Sequence, residues 1–445
     1  MSDKLNLQQE NIFQKYKNKE NVFITGPGGT GKTYLIKQIV KHAKENEKAF
    51  RVTALTGCAA ILLESGATTL HAFSGIGLAT GSMQQVVDRV VKNRYKKANW
   101  QKIELLIVDE VSMMSLKLLK ILDKIGRKVK KEYTKPFGGI QVIFSGDFYQ
   151  LPPVGDENDP ETIQFCFETP LWNEIFPIEN QIQLTSIFRQ NDQQYVKILN
   201  GLRVGKITKN GISCLSNRVK EPVDINFKPT TILPKRRDAD AINRRELDKL
   251  DNKTEKIYRT APVLEEDLCL TKEQYQNLDL FTSKEREYER EYLIENIMAE
   301  REIKLRIGAM VMCVINLNIE SDTPIINGSQ GKIIDFVNKY PLIEFTNGSK
   351  QVISPHIWQS ERLPGIAIKQ LPLIYAWAIT IHKAQGLTLE HAVMDIGANI
   401  FECGQTYVAL SRVKSLEGLY LKSFDYNKIK INKKVQLYYN RLDII

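Results

Sequence analysis

Residues 21–45 read NVFITGPGGTGKTYLIKQIVKHAKE. A short strand-like run enters a glycine-rich turn, and the turn opens a helix with apolar residues at helical spacing. In that setting GPGGTGKT (26–33) is a phosphate loop. Gly26, Gly28, Gly29 and Gly31, with Thr30, allow backbone N–H groups to wrap phosphates, and the helix N-terminus adds positive potential. Lys32 is expected to reach the β- and γ-phosphates, and Thr33 to ligate magnesium. The alternative, a glycine turn that merely starts a helix, is disfavoured by the full pattern in strand–loop–helix context.

Working outward, similar runs recur: FRVTA (50–54), IELLIVDE (103–110) and IQVIFSGD (140–147), with helical patterns between them such as SLKLLKILDKIGRKVKK (115–131). This alternation predicts a parallel α/β sheet. The strand LLIVD ends in Asp109, placed to hold magnesium, and Glu110 follows as the expected general base. A second set of strands appears later: TTILP (230–234), YAWAIT (375–380), HAVMDI (391–396) and LYLKSF (419–424). Between them, KEREYEREYLIENIMAEREIKLR (284–306) mixes charge signs as a solvated helix does. AMVMCVINLN, GKIIDFV, PLIEFT and KQVIS read as short strands, with turns at Asn327-Gly328 and Asn347-Gly348. These predict a small antiparallel barrel inserted in the second α/β unit. The polar stretch 79–101, containing KNRYKK, reads as a smaller insertion in the first.

The chain has 445 residues, 42% hydrophobic and 26% charged, so several soluble domains are expected. No window approaches about 18 uninterrupted apolar residues, so no membrane span is expected. The first twenty residues have the pattern of neither a secretory signal nor a mitochondrial presequence. An intracellular protein follows, with cytoplasm and nucleus both open; PKRR (234–237) sits after a core strand and suits a structural or DNA-facing role better than a nuclear signal. The six cysteines lie scattered with no CxxC pair, as in a reduced protein without structural zinc. The net charge of +10 raises the odds of a nucleic-acid partner without establishing one.

A phosphate loop and an Asp-Glu strand end make a nucleoside triphosphatase, and other loops must say which. VTALTGCAAILLESGATTLHAFSGIG (52–77) could let a polymer backbone approach, with Thr56, Thr69 and His71 as phosphate or sugar contacts. A tightly packed helix start with a core histidine is an equal alternative. YAWAITIHKAQGLTLEHAVMD (375–395) is similar, setting Thr380, His382, Lys383, Gln385 and Gly386 on a turn. QLTSIFRQND (183–192) and GQTYVALSRV (404–413) carry Arg189 and Arg412, candidates to reach a γ-phosphate as arginine fingers do.

Taken in order, these motifs resemble the Pif-type DNA helicases, the RecD-related 5′→3′ branch of helicase superfamily one. LNLQQ (5–9) is similar to that family's adenine-reading motif, with Gln9 as the contact, and 118–154 resembles its signature helix joined to its third helicase motif. Pro27-Gly28 stands where many relatives carry Ser-Ala, and Gln8 where an acidic residue is usual. The resemblance implies two RecA-like domains. The first would span 1–175 with a wedge insertion near 76–101, and the second 176–262 and 372–445. A helical segment and small β-barrel would occupy 263–371. It further implies that Lys32, Thr33, Asp109 and Glu110 keep the roles given above. Gln150 becomes the γ-phosphate sensor, and Arg189 and Arg412 the cross-cleft fingers. Thr56, His71, Thr380, His382, Lys383 and Gln385 face DNA.

The expected protein is therefore a bare helicase core, an ATP- and magnesium-dependent motor that is monomeric in solution. It would act on single-stranded, forked or tailed DNA in replication, repair or recombination. The rivals are a nucleotide-driven protein remodeller, which DNA would not stimulate, and a nucleotide-gated DNA clamp without unwinding.

Overall fold

The computed structural model describes residues 5–442, except 57–58, 61–62, 64–66, 78, 80, 191, 222–227, 269, 271–281, 318–322, 361–362 and 364. Cys58 and Cys269, and parts of the loop 52–77, thus lie outside the described residues. The chain divides into two compact units: Met1–Cys214 with Ile400–Leu416 and Asp425–Ile445, and Leu215–Asn399 with Glu417–Phe424. Among the described residues no helix is long and apolar enough to cross a membrane.

The first unit is built on a six-stranded sheet. Its strands are β1 (Val22–Thr25), β2 (Phe50–Ala54), β3 (Thr68–Thr69), β4 (Leu105–Asp109), β5 (Gln141–Gly146) and β6 (Gln181–Gln183). They run in the order β3-β2-β4-β5-β1-β6, and every pairing is parallel. Strand side chains alternate between two faces, and here both faces are covered. Val22, Ile24, Leu105, Ile107 and Ile143 pack with Ile12, Leu35, Ile36 and Ile39 of helices Leu7–Lys17 and Lys32–Glu45. Phe23, Leu106, Val108, Val142 and Phe144 face the other way, into a core shared with the signature helix Leu116–Lys130. That helix meets the following turn at Gly126, where an added methyl would come within 2.6 Å of the Phe137 carbonyl. Asp123 holds the turn by accepting the Phe137 N–H at 2.8 Å. The stretch expected to be an insertion near 76–101 holds two helices, Met83–Lys92 and Arg94–Lys102, which bury Val86, Val87, Val90 and Trp100 in the same core.

Two segments expected in the second domain cluster with this unit. β6 lies past residue 175, yet pairs with β1 and extends the first sheet. The helix Lys433–Leu442 buries Val435, Tyr438 and Tyr439 among the aromatic side chains of the first core. Tyr438 stacks on Phe167 with centroids 4.4 Å apart and meets Phe148 edge-on at 5.4 Å. Aromatic side chains each bury some 150–250 Å², enough to fix where a terminal helix docks.

The second unit holds a four-stranded parallel sheet and antiparallel sheets. Its strands are β7 (Thr230–Leu233), β8 (Lys256–Arg259), β9 (Ala261–Pro262), β10 (Glu302–Leu305), β11 (Met310–Cys313), β12 (Gln330–Val337), β13 (Tyr340–Phe345) and β14 (Lys350–Val352). They continue with β15 (His356–Gln359), β16 (Ala367–Gln370), β17 (Leu373–Tyr375), β18 (Ala378–Thr380), β19 (Ala392–Ile396) and β20 (Leu419–Phe424). The parallel sheet has the order β18-β7-β19-β20, the four late strands expected from sequence. Asn243 fixes helix Arg236–Asp248 to it by exchanging two 2.9 Å hydrogen bonds with the Ala378 backbone. In place of a closed barrel, the described residues form open sheets β14-β13-β12-β11-β17, β15-β16-β9 and β10-β8. The Asn347-Gly348 turn joins β13 to β14, with Gly348 at φ 84°. The expected helix over 284–306 stops at Asn296, and 302–305 is strand β10, whose Ile303 and Leu305 alternate inward.

Candidate nucleotide site

The phosphate loop lies at the C-terminal end of β1. Gly26, Gly29 and Gly31 take φ of 138°, 86° and 82°, which side chains with a Cβ rarely adopt. An added methyl at Gly26 would lie 2.3 Å from the Leu184 carbonyl oxygen, so close backbone approach also requires glycine there. Gly31 caps helix Lys32–Glu45 without any side-chain hydrogen bond. The first N–H groups of that helix therefore point at the loop as an anion site does. Lys32 curls over the loop, donating to the Gly26 and Pro27 carbonyls at 2.7 and 3.0 Å. Burial holds its ammonium below the ordinary lysine value, against the pull of Asp147, Glu110 and Asp109. Thr30 is buried and donates to the Pro27 carbonyl, while Thr33 occupies the second position of the helix.

β4 and β5 bring the acidic end alongside. Asp109 is buried, and burial followed by the Glu110 charge pushes its carboxyl up to about 6. Glu110 has φ 56° and ψ 40°, a left-handed conformation unusual for a residue with a side chain. Its N–H donates to Asp109 Oδ1 at 2.9 Å. Two adjacent carboxylates held against their own repulsion suit a divalent cation. With only Asp109 and the Thr33 hydroxyl as expected protein ligands, the set fits magnesium, which keeps several waters and binds substrate phosphate.

The loop after β5 carries the sensor candidate. Gln150 is buried, and its N–H closes a turn on the Asp147 carbonyl at 2.8 Å. Asp147, fully buried, pairs with Arg203 through two 2.9 Å contacts and accepts from the Tyr149 N–H and the Tyr439 hydroxyl, each at 3.2 Å. Burial disfavours the Arg203 charge, but the facing carboxylate outweighs it and holds the guanidinium firmly protonated. Tyr439 also bonds the Thr25 hydroxyl at 2.5 Å and the Phe148 N–H at 3.1 Å, and stacks on Tyr149 at 4.7 Å. One aromatic side chain from the last helix thus ties the end of β1 to the sensor loop.

Both candidate fingers are in this unit. Phe188 N–H donates to the Gly29 carbonyl at 2.8 Å, and an added methyl at Gly29 would lie 2.6 Å from Arg189 Cβ. Arg412, 2% exposed, donates to the Val408 carbonyl and the Ser411 hydroxyl. Arg189 reaches the Ser411 carbonyl at 3.5 Å. Burial, then the neighbouring Arg189 charge, brings Arg412 down to about 10, and neither arginine forms an ion pair with a described residue. A buried Arg412 and a half-buried Arg189 beside a phosphate loop, without a paired carboxylate among the described residues, call for an anionic ligand.

Helix Gln405–Leu410 starts at Gly404, where φ is 78°. A methyl there would stand 2.4 Å from the Gln150 carbonyl oxygen and 2.7 Å from that of Tyr149. Gly404→Ala must displace the helix from the sensor loop, since neither backbone oxygen can give way. Left-handed strain adds about 1–2 kcal/mol. We expect ATP turnover to fall together with the melting temperature, and an unchanged melting curve would refute the close approach.

Gln9 lies beside the loop: a methyl at Gly31 would meet its Nε2 at 2.8 Å. Its Oε1 accepts the Asn6 N–H at 3.1 Å within a helix capping box, and it is Gln8 that tethers the helix to residues 183 and 185. The threonines expected to face DNA are all used as local caps. Thr56 accepts from Ala59, Thr69 from Ala72 and Thr380 from Lys383, each at 3.2 Å. His71 is half-buried, and burial lowers its pKa, keeping the ring neutral. In the second unit Thr380, His382, Lys383 and Gln385 share one turn after β18, with Gln385 buried. Sequence reading offered Asp147 as an aid to the magnesium site or a cap of its turn, without its partner Arg203, and passed over Tyr439, Gln190 and Tyr407. Gln190 and Tyr407 stand inside the two arginine motifs, whose only other signal was motif membership.

A family model described as PIF1-like helicase matches residues 4–211. The crystal structure of the Pif1 helicase from Candida albicans is 31% identical, superposes with a TM-score of 0.78, and covers 99% of this chain and 99% of its own. The chain belongs to the PIF1-like helicase family. The ATP-dependent DNA helicase PIF1 of Danio rerio is 32% identical over 99% of this chain, which spans 64% of that relative's length. A Bacteroides Pif1 helicase solved in complex with ADP-AlF3 and single-stranded DNA is 26% identical, with a TM-score of 0.66 over 98% of this chain and 97% of that one. The chain therefore shares the fold of the Candida albicans Pif1 helicase over nearly its whole length.

Proposed function

We propose that this chain is the motor core of an ATP- and magnesium-dependent DNA helicase that moves 5′→3′ on single-stranded DNA. The observation that carries the reading is that three cations meet the phosphate loop near Asp109 and Glu110: Lys32 on the Gly26 and Pro27 carbonyls, Arg412 beside Gly28 and Arg189 beside Gly29. Named relatives that are ATP-dependent DNA helicases, one of them solved with nucleotide and single-stranded DNA, support it.

In this reading Thr33 and Asp109 would hold a magnesium ion, which would supply positive charge to the phosphates. Glu110 takes a proton from the attacking water, and Lys32 leaves its carbonyl partners to bind the β- and γ-phosphates. Arg189 and Arg412 stabilise the charge of the transferring phosphoryl group, and Gln150 reports its presence through the Asp147 turn. Thr56, His71, Thr380, His382, Lys383 and Gln385 grip the strand, and nucleotide-driven closing of two RecA-like domains converts hydrolysis into steps. The enzyme works as a monomer on forked or tailed DNA, inside the cell, in replication, repair or recombination. Phosphate contacts dominate affinity, which should fall steeply with salt.

Strand displacement on duplexes with either a 5′ or a 3′ single-stranded tail tests this reading. We expect ATP-dependent unwinding from the 5′ tail and DNA-stimulated ATP hydrolysis. Unwinding from the 3′ tail alone would overturn the polarity. ATP hydrolysis that DNA does not stimulate would favour a protein remodeller.

A further inference from the structure

Tyr407 is 4% exposed, and its hydroxyl accepts the Gly28 N–H at 2.9 Å. It sits on helix Gln405–Leu410, five positions before Arg412. Burial, then the Asp147 charge, raises the phenol well above its ordinary value, so it is a neutral donor at every working pH. A phenol that accepts through a lone pair still has a proton to direct elsewhere. The surroundings show where an acceptor would sit. A methyl at Gly28 would lie 3.8 Å from the Tyr407 oxygen, 3.7 Å from Ser411 Cβ and 3.9 Å from Arg412 Nη2.

A second side chain marks the same spot independently. Gln190 is 4% exposed, and neither Nε2 nor Oε1 hydrogen-bonds to a described residue. Its Oε1 would stand 3.0 Å from a methyl at Gly29. A buried amide without partners is costly, and one turned toward a phosphate loop points to a ligand rather than to the fold.

We propose that Tyr407 is a further catalytic residue, donating its phenolic hydrogen to the terminal phosphate of ATP, with the Gln190 amide, once it turns Nε2 in place of Oε1 toward Gly29, as a second neutral donor to the same group. Lys32, Arg189 and Arg412 supply charge there, whereas these two supply direction. A hydrogen bond aimed at an oxygen of the terminal phosphate has no partner in a diphosphate, so it adds to the discrimination between the two nucleotides. The inference rests on the ATP-motor reading above and adds how the site distinguishes ATP from ADP.

The test uses the full chain and the Tyr407→Phe and Gln190→Leu variants, which keep side-chain volume. The measurements are binding of a non-hydrolysable ATP analogue and of ADP, and kcat for DNA-stimulated hydrolysis. Tyr407→Phe is expected to weaken analogue binding by about tenfold or more, as one hydrogen bond to a charged group implies, and to lower kcat at least as much. ADP affinity should stay within about twofold, because ADP lacks the terminal phosphate. Gln190→Leu should show the same asymmetry more weakly. Equal loss for both nucleotides would mean that the hydroxyl merely braces Gly28, and unchanged binding and kcat would remove any role; either overturns the proposal. If the wild-type protein neither binds nor hydrolyses ATP, the motor reading itself fails, an outcome distinct from these.

Discussion

Arg412→Ala is expected to reduce kcat for DNA-stimulated ATP hydrolysis by about 10³-fold or more, the range in which arginine fingers act. ADP binding should change little, since the guanidinium is matched to the transferring phosphoryl group. Stability should hold or rise. Arg412 is a buried cation beside Arg189, with hydrogen bonds to the Val408 carbonyl and Ser411 hydroxyl but no carboxylate partner among the described residues. Removing it relieves like-charge repulsion, so activity and stability move in opposite directions, as they often do at active sites. Arg412→Lys should recover little, because a point charge does not reproduce the planar fork. Steady-state ATPase kinetics with a thermal melt decides the matter: a loss below tenfold would show that Arg412 is not a finger.

The second large effect lies at Asp147 and Arg203. Arg203→Met leaves the fully buried Asp147 carboxylate without its cation, and breaking a buried pair costs about 3–5 kcal/mol. At about 2–4 °C per kcal/mol for a domain of 150–250 residues, the melting temperature of the first unit should fall by roughly 6–20 °C. Adding Asp147→Asn removes the stranded charge while keeping an acceptor for the Tyr149 N–H and Tyr439 hydroxyl. The double variant should recover more than half of the loss, a coupling measurable by urea unfolding. If the single and double variants melt alike, the ion pair does not hold the sensor loop. Because Gln150 is three residues past Asp147 and hydrogen-bonds back to it, the single variant should also lower ATP turnover.

Much of the architecture was legible in the sequence because it depends on local chemistry. GPGGTGKT between a strand and a helix needs glycines wherever the backbone takes positive φ, and Gly26, Gly29 and Gly31 do so. The strands at 22–25, 50–54, 105–109 and 141–146 fall where strand-like runs predicted them; in all but 50–54 every residue is buried, as in a sheet covered on both faces. The Asn347-Gly348 turn was equally plain. Sequence leaves a choice where one residue type serves two ends. The hydroxyls of Thr56 and Thr380 accept the Ala59 and Lys383 N–H groups, and a hydroxyl in such a loop looks the same in sequence whether it makes that bond, binds phosphate or does both.

The sequence by itself determined the phosphate loop, the Asp109–Glu110 strand end, the two arginine motifs and the parallel-sheet class, because each is written within a few consecutive residues. Only the tertiary structure decided that Asp147 pairs with Arg203, that Tyr439 locks both to Thr25, that Tyr407 caps Gly28, and that the last helix completes the first core. Those contacts join residues separated by 56 to 414 positions. No local propensity encodes such a pairing; it comes from aromatic surface and buried charge finding the one arrangement that satisfies both.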